Sequence, residues 1–546
     1  MNKTFRSQNL VLLFSIFLVA GYNNSLWQGL IKTHSDLSFH NLLFLASCGI
    51  FLTALFNIVF SIFAIKKILK PLLILIVFCS ALASYFMDSY GVVIDASMMQ
   101  NVLETDTAEA TELLSFSFAL HALLWGVLPA WILYRIDIRH ASFLRQAMIN
   151  IFSILMSILA IGLIAAFFYQ DYASTFRNHR EFRSLMNPTN YIQAINKTVR
   201  NHFQQRESEK VIVPISQHVS LGAIASHKKH RTITIFVAGE TARTQEFHVN
   251  GYARQTTPYL EKQDIISFTD VSSCGTATAT SLPCMFSKFS RENYDNDKGH
   301  GYESVLDVLA ASGIDVLWRD NNSGCKGVCD RVQKENVAHL TLPELCNDKE
   351  CFDEVLLHKL DDFASSTDKD LFIVLHQKGS HGPAYYQRVP KDFEEFMPMC
   401  MTSELQDCSQ QEITNAYDNT ILYTDFFVNK VIEFLKAQPD ETNTAMLYVS
   451  DHGESLGEKN MYLHGAPYFM APDEQTHVPM IMWMSDSFAN DYKIDKTCVA
   501  NKAKTSLSHD NLFHSILGML NVISPDNYQQ DLDMFDSCKV AVADRV

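Results

Sequence analysis

Ala445-Met446-Leu447-Tyr448-Val449-Ser450-Asp451-His452-Gly453-Glu454-Ser455 is the stretch on which the fold turns. Its first five residues form an apolar run that reads as a buried strand, and the strand ends on an acid and an imidazole side by side. Two further runs behave alike. Thr232 to Ala238 leads into Gly239-Glu240-Thr241, and Leu371 to Leu375 leads into His376-Gln377-Lys378-Gly379-Ser380-His381-Gly382. Ile314–Trp318 is one more short strand candidate and Asn415–Ala437 a long helix. Strands that alternate with helices from Arg231 onward predict a mostly parallel sheet flanked by helices. Ligand sites in such sheets gather beyond the carboxyl ends of the strands. Three such ends supply Glu, Asp and His, the side chains that hold a divalent metal.

The N-terminal third has a different chemistry. It carries five apolar segments, roughly Leu10–Ala20 with its flanks, Leu42–Ile65, Pro71–Phe86, Phe116–Tyr134 and Met148–Phe168. Several reach the ~20 residues that cross a bilayer. Lys3 and Arg6 before the first segment also fit a cleaved signal peptide. Four more spans follow, so it reads as a retained anchor. Lys66, Lys67 and Lys70 lie between spans two and three, and Arg135, Arg139 and Arg145 between spans four and five. The other two loops hold only Lys32, which places the N-terminus in the cytoplasm and everything after the fifth span on the far side. The expected organisation is a five-helix transmembrane domain over 1–170, amphipathic bridging helices and linker over 171–230, and a catalytic α/β domain over 231–546. Pro188 separates the bridging helices. The net charge of −16 argues against nucleic acid as a partner.

Ten of the twelve cysteines lie after residue 270. They fall in close pairs, Cys274/Cys284, Cys325/Cys329, Cys346/Cys351 and Cys400/Cys408, with Cys498 and Cys538 left over for a fifth. Their spacings lack the partner knuckles of a zinc site, and outside the cytoplasm disulfides are expected. Cys48 and Cys79 fall inside spans. Between Cys274 and Cys284 lies a loop rich in hydroxyls. A threonine hydroxyl is hardly ionised at neutral pH, but a divalent cation acidifies a bound hydroxyl, as zinc takes water from a pKa of about 15.7 to about 7.

Four segments in this order resemble the phosphoethanolamine–lipid A transferases, which include the mobile colistin-resistance enzymes and belong to the alkaline phosphatase/sulfatase superfamily. They are Gly239-Glu240-Thr241-Ala242-Arg243, Cys274-Gly275-Thr276-Ala277-Thr278, His376-Gln377-Lys378-Gly379-Ser380-His381-Gly382-Pro383 and Ser450-Asp451-His452-Gly453-Glu454-Ser455-Leu456-Gly457. The resemblance covers essentially the whole chain. It implies Thr278 as nucleophile, with Thr276 and Thr280 as neighbours. It implies Glu240, Thr278, Asp451 and His452 as ligands of one tightly bound zinc, with a second ion during turnover left open. Oxygen-rich coordination alone would also admit manganese or magnesium. Lys326, His381 and His464 inherit contacts to the phosphate or a second metal. Asn101, Thr105 and Glu109, spaced four and four on an expected helix within Ala96–Leu114, inherit substrate binding. Glu454 is expected to support His452 or a nearby helix start.

The implied enzyme sits in a Gram-negative inner membrane as a monomer, with its catalytic domain in the periplasm. It would move phosphoethanolamine from phosphatidylethanolamine to a lipid A phosphate and so confer polymyxin resistance. A related transferase of phosphoethanolamine or phosphoglycerol, acting on lipopolysaccharide core or a periplasmic glucan, is the alternative. A membrane scaffold with an inactive hydrolase-like domain is a third reading, against which the intact Glu240, Thr278, Asp451 and His452 set speaks.

Overall fold

In lipid, backbone polar groups must be satisfied within a segment, so long apolar runs there become helices. The computed structural model describes residues 4–36, 38–105, 107–208, 212–347 and 349–540. Its apolar helices are α1 (Ser7–Gly21), α2 (Asn24–Thr33), α3 (Phe39–Ile62) and α4 (Leu69–Tyr90). After two short helices, α5 (Ala96–Glu104) and α6 (Thr107–Glu112), come α7 (Phe116–Arg135) and α8 (Phe143–Asn178). Four of these, α3, α4, α7 and α8, are long and apolar enough to span a membrane. The α1–α2 pair, bent by 63°, makes a fifth if it crosses as one. The bend falls at Asn23, whose Nδ2 donates to the Leu18 carbonyl at 2.9 Å. Asn57 of α3 reaches Ser153 and Ser157 of α8, both at 2.9 Å, an interhelical bond of the kind that holds helices together in lipid.

The chain divides into two units. One comprises Met1–Met99 and Leu113–Val199, the other Gln100–Glu112 and Arg200–Val546. The loop segment 100–112 therefore belongs with the C-terminal portion. It is also not the single helix expected within Ala96–Leu114. Thr105 lies outside α5 and its hydroxyl donates to the Asn101 carbonyl at 2.7 Å. Thr-Asp-Thr at 105–107 combines weak helix formers whose side chains compete for backbone partners.

The second unit is built on seven strands: β1 (Arg231–Gly239), β2 (Ile266–Phe268), β3 (Asp315–Asp320), β4 (Gln333–Asn336), β5 (Leu371–His376), β6 (Thr442–Ser450) and β7 (Met480–Met484). Their order across the sheet is β2-β7-β6-β1-β5-β3-β4, with β7 alone running against the other strands and so pairing antiparallel with both β6 and β2. Alternation along β1 explains why both faces are dry. Phe236 and Ala238 enter one core with Phe372, Val374, Leu447 and Val449, while Ile233, Ile235 and Val237 enter the other with Ile373, Met446 and Tyr448. The second core is closed by α10 (Gln410–Lys436) through Ile413, Tyr417, Ile421 and Val428. This helix starts where Ser409 and Glu412 exchange bonds in a capping box, and it ends shortly before Pro439.

A short helix, α9 (Thr278–Met285), lies between the cysteines of the hydroxyl-rich loop. Cys274 and Cys284 are joined, as are Cys325–Cys329, Cys346–Cys351, Cys400–Cys408 and Cys498–Cys538. Buried His509 ties this loop to the end of β6. Its Nδ1 accepts from the Cys274 amide at 3.1 Å, so Nε2 carries the hydrogen donated to the Ser450 carbonyl at 3.0 Å.

Two outcomes follow from these ties. Denatured but unreduced protein should alkylate at two thiols, Cys48 and Cys79, and after reduction at all twelve, as counted by intact-mass spectrometry. More than two before reduction contradicts the five pairs. Burial also holds the His509 pKa down to about 3. An unfolded histidine titrates near ~6.5, so the neutral ring stabilises fully above that pH and the contribution is lost as pH falls toward the folded value, at up to roughly 1.4 kcal/mol per pH unit. Melting temperature should fall between pH 7 and 5, and His509→Asn should flatten that fall. Burial lowers His514 to about 4 with the same sign, so the variant keeps part of the slope. Equal slopes in both proteins would remove His509 from the account.

Candidate active site

Parallel pairing of β1 and β6 sets Gly239 against Ser450, so the next residues on the two strands, Glu240 and Asp451, emerge together. The ladder continues one step further, with the Asp451 amide donating to the Gly239 carbonyl at 2.9 Å. Thr241 then turns the chain at φ 58°, where a β-branched residue is strained, and its amide donates to Asp451 Oδ1 at 3.2 Å. Gly379, at φ 55°, fits over this turn because a Cβ there would come within 2.5 Å of the Glu240 carbonyl.

Glu240, Asp451 and His452 are buried, and one ligand atom from each lies within 4.8 Å of the others. His452 Nε2 is 3.3 Å from Glu240 Oε1 and 3.4 Å from Asp451 Oδ2. His452 Nδ1 lies 2.9 Å from the Gly453 carbonyl, a bond that requires the hydrogen on Nδ1 and leaves Nε2 as the nitrogen facing the carboxylates. Thr278, the first residue of α9, places Oγ1 at 3.0 and 3.2 Å from the Glu240 oxygens and 3.2 Å from His452 Nε2. The partial positive charge of the helix N-terminus favours negative charge developing on that oxygen.

The cluster is built to receive a cation. Asp451 Oδ2 is buried and receives no hydrogen bond among the described residues. Burial and then the Glu240 charge push the Asp451 carboxyl up to about 6. Burial would also raise Glu240, but the His452 hydrogen bond and charge hold it well below the usual range. Burial works against a charged His452, yet Asp451 and Glu240 push it up to about 10. Two anions and one imidazole, packed with a hydroxyl, match the donor set of a divalent metal.

Next to this cluster, Thr278 lines a small cavity with Asn101, Thr105, Lys326, His381 and His464. Lys326 Nζ lies 3.3 Å from the Ser323 carbonyl. The His381 and His464 rings are 5.2 Å apart, and His464 is 4.5 Å from the His452 ring. The Glu109 side chain lies outside the described residues. Glu454 does not bond to His452. It receives the Tyr385 hydroxyl at 2.6 Å and holds His464 Nδ1 at 2.9 Å.

Several contributors were not singled out from the sequence. Asn322 Nδ2 donates to Glu240 Oε2 at 2.7 Å and to the Gln377 carbonyl at 2.9 Å. It follows the carboxyl end of β3, so the strand-end argument that found Glu240 would have found it. Asp320, also not singled out, lies 2.8 Å from His376, the residue that the sequence placed at a strand end, and accepts from Trp318 Nε1 at 2.8 Å. Burial would raise Asp320, but His376 and these bonds bring it down to about 2. Ser323 and Glu104 also line the cavity, with Ala277 and Ala279 on either side of Thr278. No local signal marks Glu104, which is separated from Lys326 by more than 200 residues.

The comparisons with known proteins agree with this arrangement. Residues 232–522 match the Sulfatase family, and residues 52–203 match the family described as phosphoethanolamine transferase EptA/EptB. The chain is 40% identical over 531 residues to the phosphoethanolamine transferase EptA of Salmonella typhimurium, covering 97% of this chain and 96% of that protein. It is 37% identical over 522 residues to the phosphatidylethanolamine transferase Mcr-1 of Escherichia coli, covering 94% of each. The structure of the lipooligosaccharide phosphoethanolamine transferase A of Neisseria meningitidis superposes with a TM-score of 0.94 at 36% identity, over 99% of this chain and 100% of that one. A membrane unit of apolar helices joined to a sulfatase-type α/β unit, with this extent of identity along the full length, establishes that the chain belongs to the phosphoethanolamine transferase family.

Proposed function

We propose that the protein is an inner-membrane enzyme whose periplasmic unit moves phosphoethanolamine from phosphatidylethanolamine to a phosphate of lipid A through Thr278. One observation carries the reading: the Thr278 hydroxyl stands 3.0–3.2 Å from Glu240 and His452 at the edge of a cavity walled by Lys326, His381 and His464. Glu240, Asp451, His452 and Thr278 would hold a zinc ion, which when bound supplies the Lewis acidity that makes this hydroxyl nucleophilic at neutral pH. Thr278 Oγ1 attacks the donor phosphorus. The bond from phosphorus to the glycerol oxygen breaks, and the proton lost by Thr278 balances the one gained by departing diacylglycerol. An oxygen of the acceptor phosphate then attacks the same phosphorus. The Thr278–phosphorus bond breaks, and Thr278 recovers the proton that the acceptor gives up. Lys326 supplies positive charge beside the phosphoryl group, and Glu454 fixes the ring of His464 next to it. The added amine offsets negative charge on lipid A, which weakens attraction for cationic peptides such as polymyxins.

Mass spectrometry of lipid A from cells with and without the protein tests the acceptor. One added phosphoethanolamine is expected, and an increment confined to core sugar or to a periplasmic glucan would overturn the lipid A assignment. Thr278→Ala should reduce transfer by at least roughly 10³-fold, the scale of losing a nucleophile. Thr276→Ala should keep measurable transfer, because the Thr276 hydroxyl is occupied with the Ala466 carbonyl at 2.6 Å and does not reach the cluster. Normal turnover by Thr278→Ala would sink the covalent route.

Chelation tests the metal. Exhaustive removal should abolish transfer and lower the melting temperature, since it leaves the Glu240 and Asp451 carboxylates facing each other in a buried site. Zinc should restore both. Asp451→Asn should lower bound zinc measured by elemental analysis. Full activity in a demonstrably metal-free preparation would refute the assignment.

A further inference from the structure

Arg388 is the charge that organises the far side of the cavity. Its side chain is 1% exposed, and it is engaged in three directions. Nε donates to the His381 carbonyl at 2.8 Å. Nη1 meets Glu350, which stands inside the loop closed by Cys346–Cys351. Nη2 meets Glu112 at 2.7 Å. Glu112 is the last residue of α6 and of the segment 100–112, and it too is largely buried. Glu350 already neutralises the guanidinium charge within residues 350–388, and the His381 carbonyl takes the Nε hydrogen, which leaves Nη2 for Glu112. Glu112 is thus a second carboxylate, brought from a segment more than 230 residues earlier, and a fold that needed only to neutralise Arg388 would not require it.

The same segment is held at two other points. Asn296 hydrogen-bonds Gln100 at its beginning. Lys326 Nζ lies 3.5 Å from the Glu104 carbonyl and 3.9 Å from its carboxylate in the middle. Between these anchors Asn101 and Thr105 face the cavity that contains Thr278. The contact at Glu104 is long and the contact at Gln100 is between neutral groups. The Glu112 pair is the charged, close and buried one, so it dominates docking of the segment. Arg388 also fixes the backbone of His381, so one guanidinium sets both the cavity's histidine wall and its opposite, segment-derived wall.

We infer that Arg388, held by Glu350, is a positioning residue that clamps segment 100–112 over Thr278 through Glu112, and that this clamp forms the wall against which a lipid-borne head group is held. The inference rests on the proposed reading of the cavity as the donor site. It assigns no chemistry to Arg388 or Glu112. They act through Asn101, Thr105 and His381. A small soluble ester, which carries its own leaving group to Thr278 and needs no lipid aligned, is expected to be insensitive to the clamp.

The test uses full-length, zinc-loaded protein in nanodiscs containing phosphatidylethanolamine. Glu112→Gln removes the charge and keeps the shape. If the docked population falls to about a tenth, the apparent KM for phosphatidylethanolamine rises about tenfold with kcat little changed. Turnover of a soluble nitrophenyl phosphoethanolamine ester and zinc content should stay at wild-type levels. Hydrogen–deuterium exchange should rise over residues 100–112 and remain unchanged in the strands of the sheet. Glu112→Asp should recover part of both the KM and the protection, which a role confined to packing would not predict. Unchanged KM and unchanged exchange in Glu112→Gln overturn the clamp, as do equal losses on both substrates without increased exchange in the segment. If the wild-type protein turns over the soluble ester but not phosphatidylethanolamine, and exchange in the segment still rises in the variant, the donor assignment fails while the clamp stands.

Discussion

The site depends first on the register between two parallel strands. Gly239 pairs with Ser450, and this alone puts Glu240 beside Asp451. Successive residues of a strand point to opposite faces, so a slip of one residue would send Ile235 and Met446 into the wrong cores and separate the two acids. Burial on both faces thus specifies the register, and the register specifies the cluster of Glu240, Asp451 and His452. Strain at Thr241 and the absence of a side chain at Gly379 are local consequences of bringing the acids this close.

Thr278 arrives independently of that register and is tied to it afterwards. The Cys274–Cys284 bond closes the loop, His509 joins the loop's first residue to the end of the neighbouring strand, and Ser281 hydrogen-bonds the Asp451 carbonyl. For the nucleophile role proposed for Thr278, orientation matters, and these ties restrain the eleven residues from Cys274 to Cys284, the kind of support that keeps reacting groups in attack geometry. Behind the acids, Asn322 spends its amide on Glu240, and the Asp320–His376 pair fills the space beneath it. Each buried charge near the centre therefore has a partner of opposite sign or a donor, which is what allows so many of them to coexist out of water.

Much of this was legible in the chain. Strand ends at Glu240, Asp451 and His376 follow from apolar runs, and the membrane helices follow from length and hydropathy. Thr278 could not be chosen over Thr276 or Thr280 on chemistry alone. Resemblance selected it, and the geometry is consistent, since Thr276 is turned to the Ala466 carbonyl. The Glu454 partner was misread because sequence adjacency to His452 says nothing of side-chain direction, whereas the turn at Gly457 and the short strand pair Ser455–Leu456 with Tyr462–Leu463 bring His464 back to it. The break between α5 and α6 is not visible in the four-and-four spacing of Asn101, Thr105 and Glu109, which takes no account of three poor helix formers in a row, Thr105, Asp106 and Thr107. His509 lies far from every motif, and its role is visible only once the fold places it against Cys274 and Ser450.

The buried acidic cluster and the cavity beside it draw on different parts of the chain. Glu240, Thr278, Asp451 and His452, with Asn322, His376 and His509 around them, all come from residues after 231, so the reacting cluster is complete within the α/β fold. The cavity is not. Asn101, Glu104 and Thr105 enter it from the connection between two apolar helices. Under the proposed reading, a cavity wall supplied by this segment makes the cluster selective for a lipid without altering any residue of the cluster. That arrangement also explains why the net charge of the segment is tolerated. Its carboxylates at Glu104 and Glu112 meet Lys326 and Arg388, so each is placed beside a cation instead of being buried unpaired.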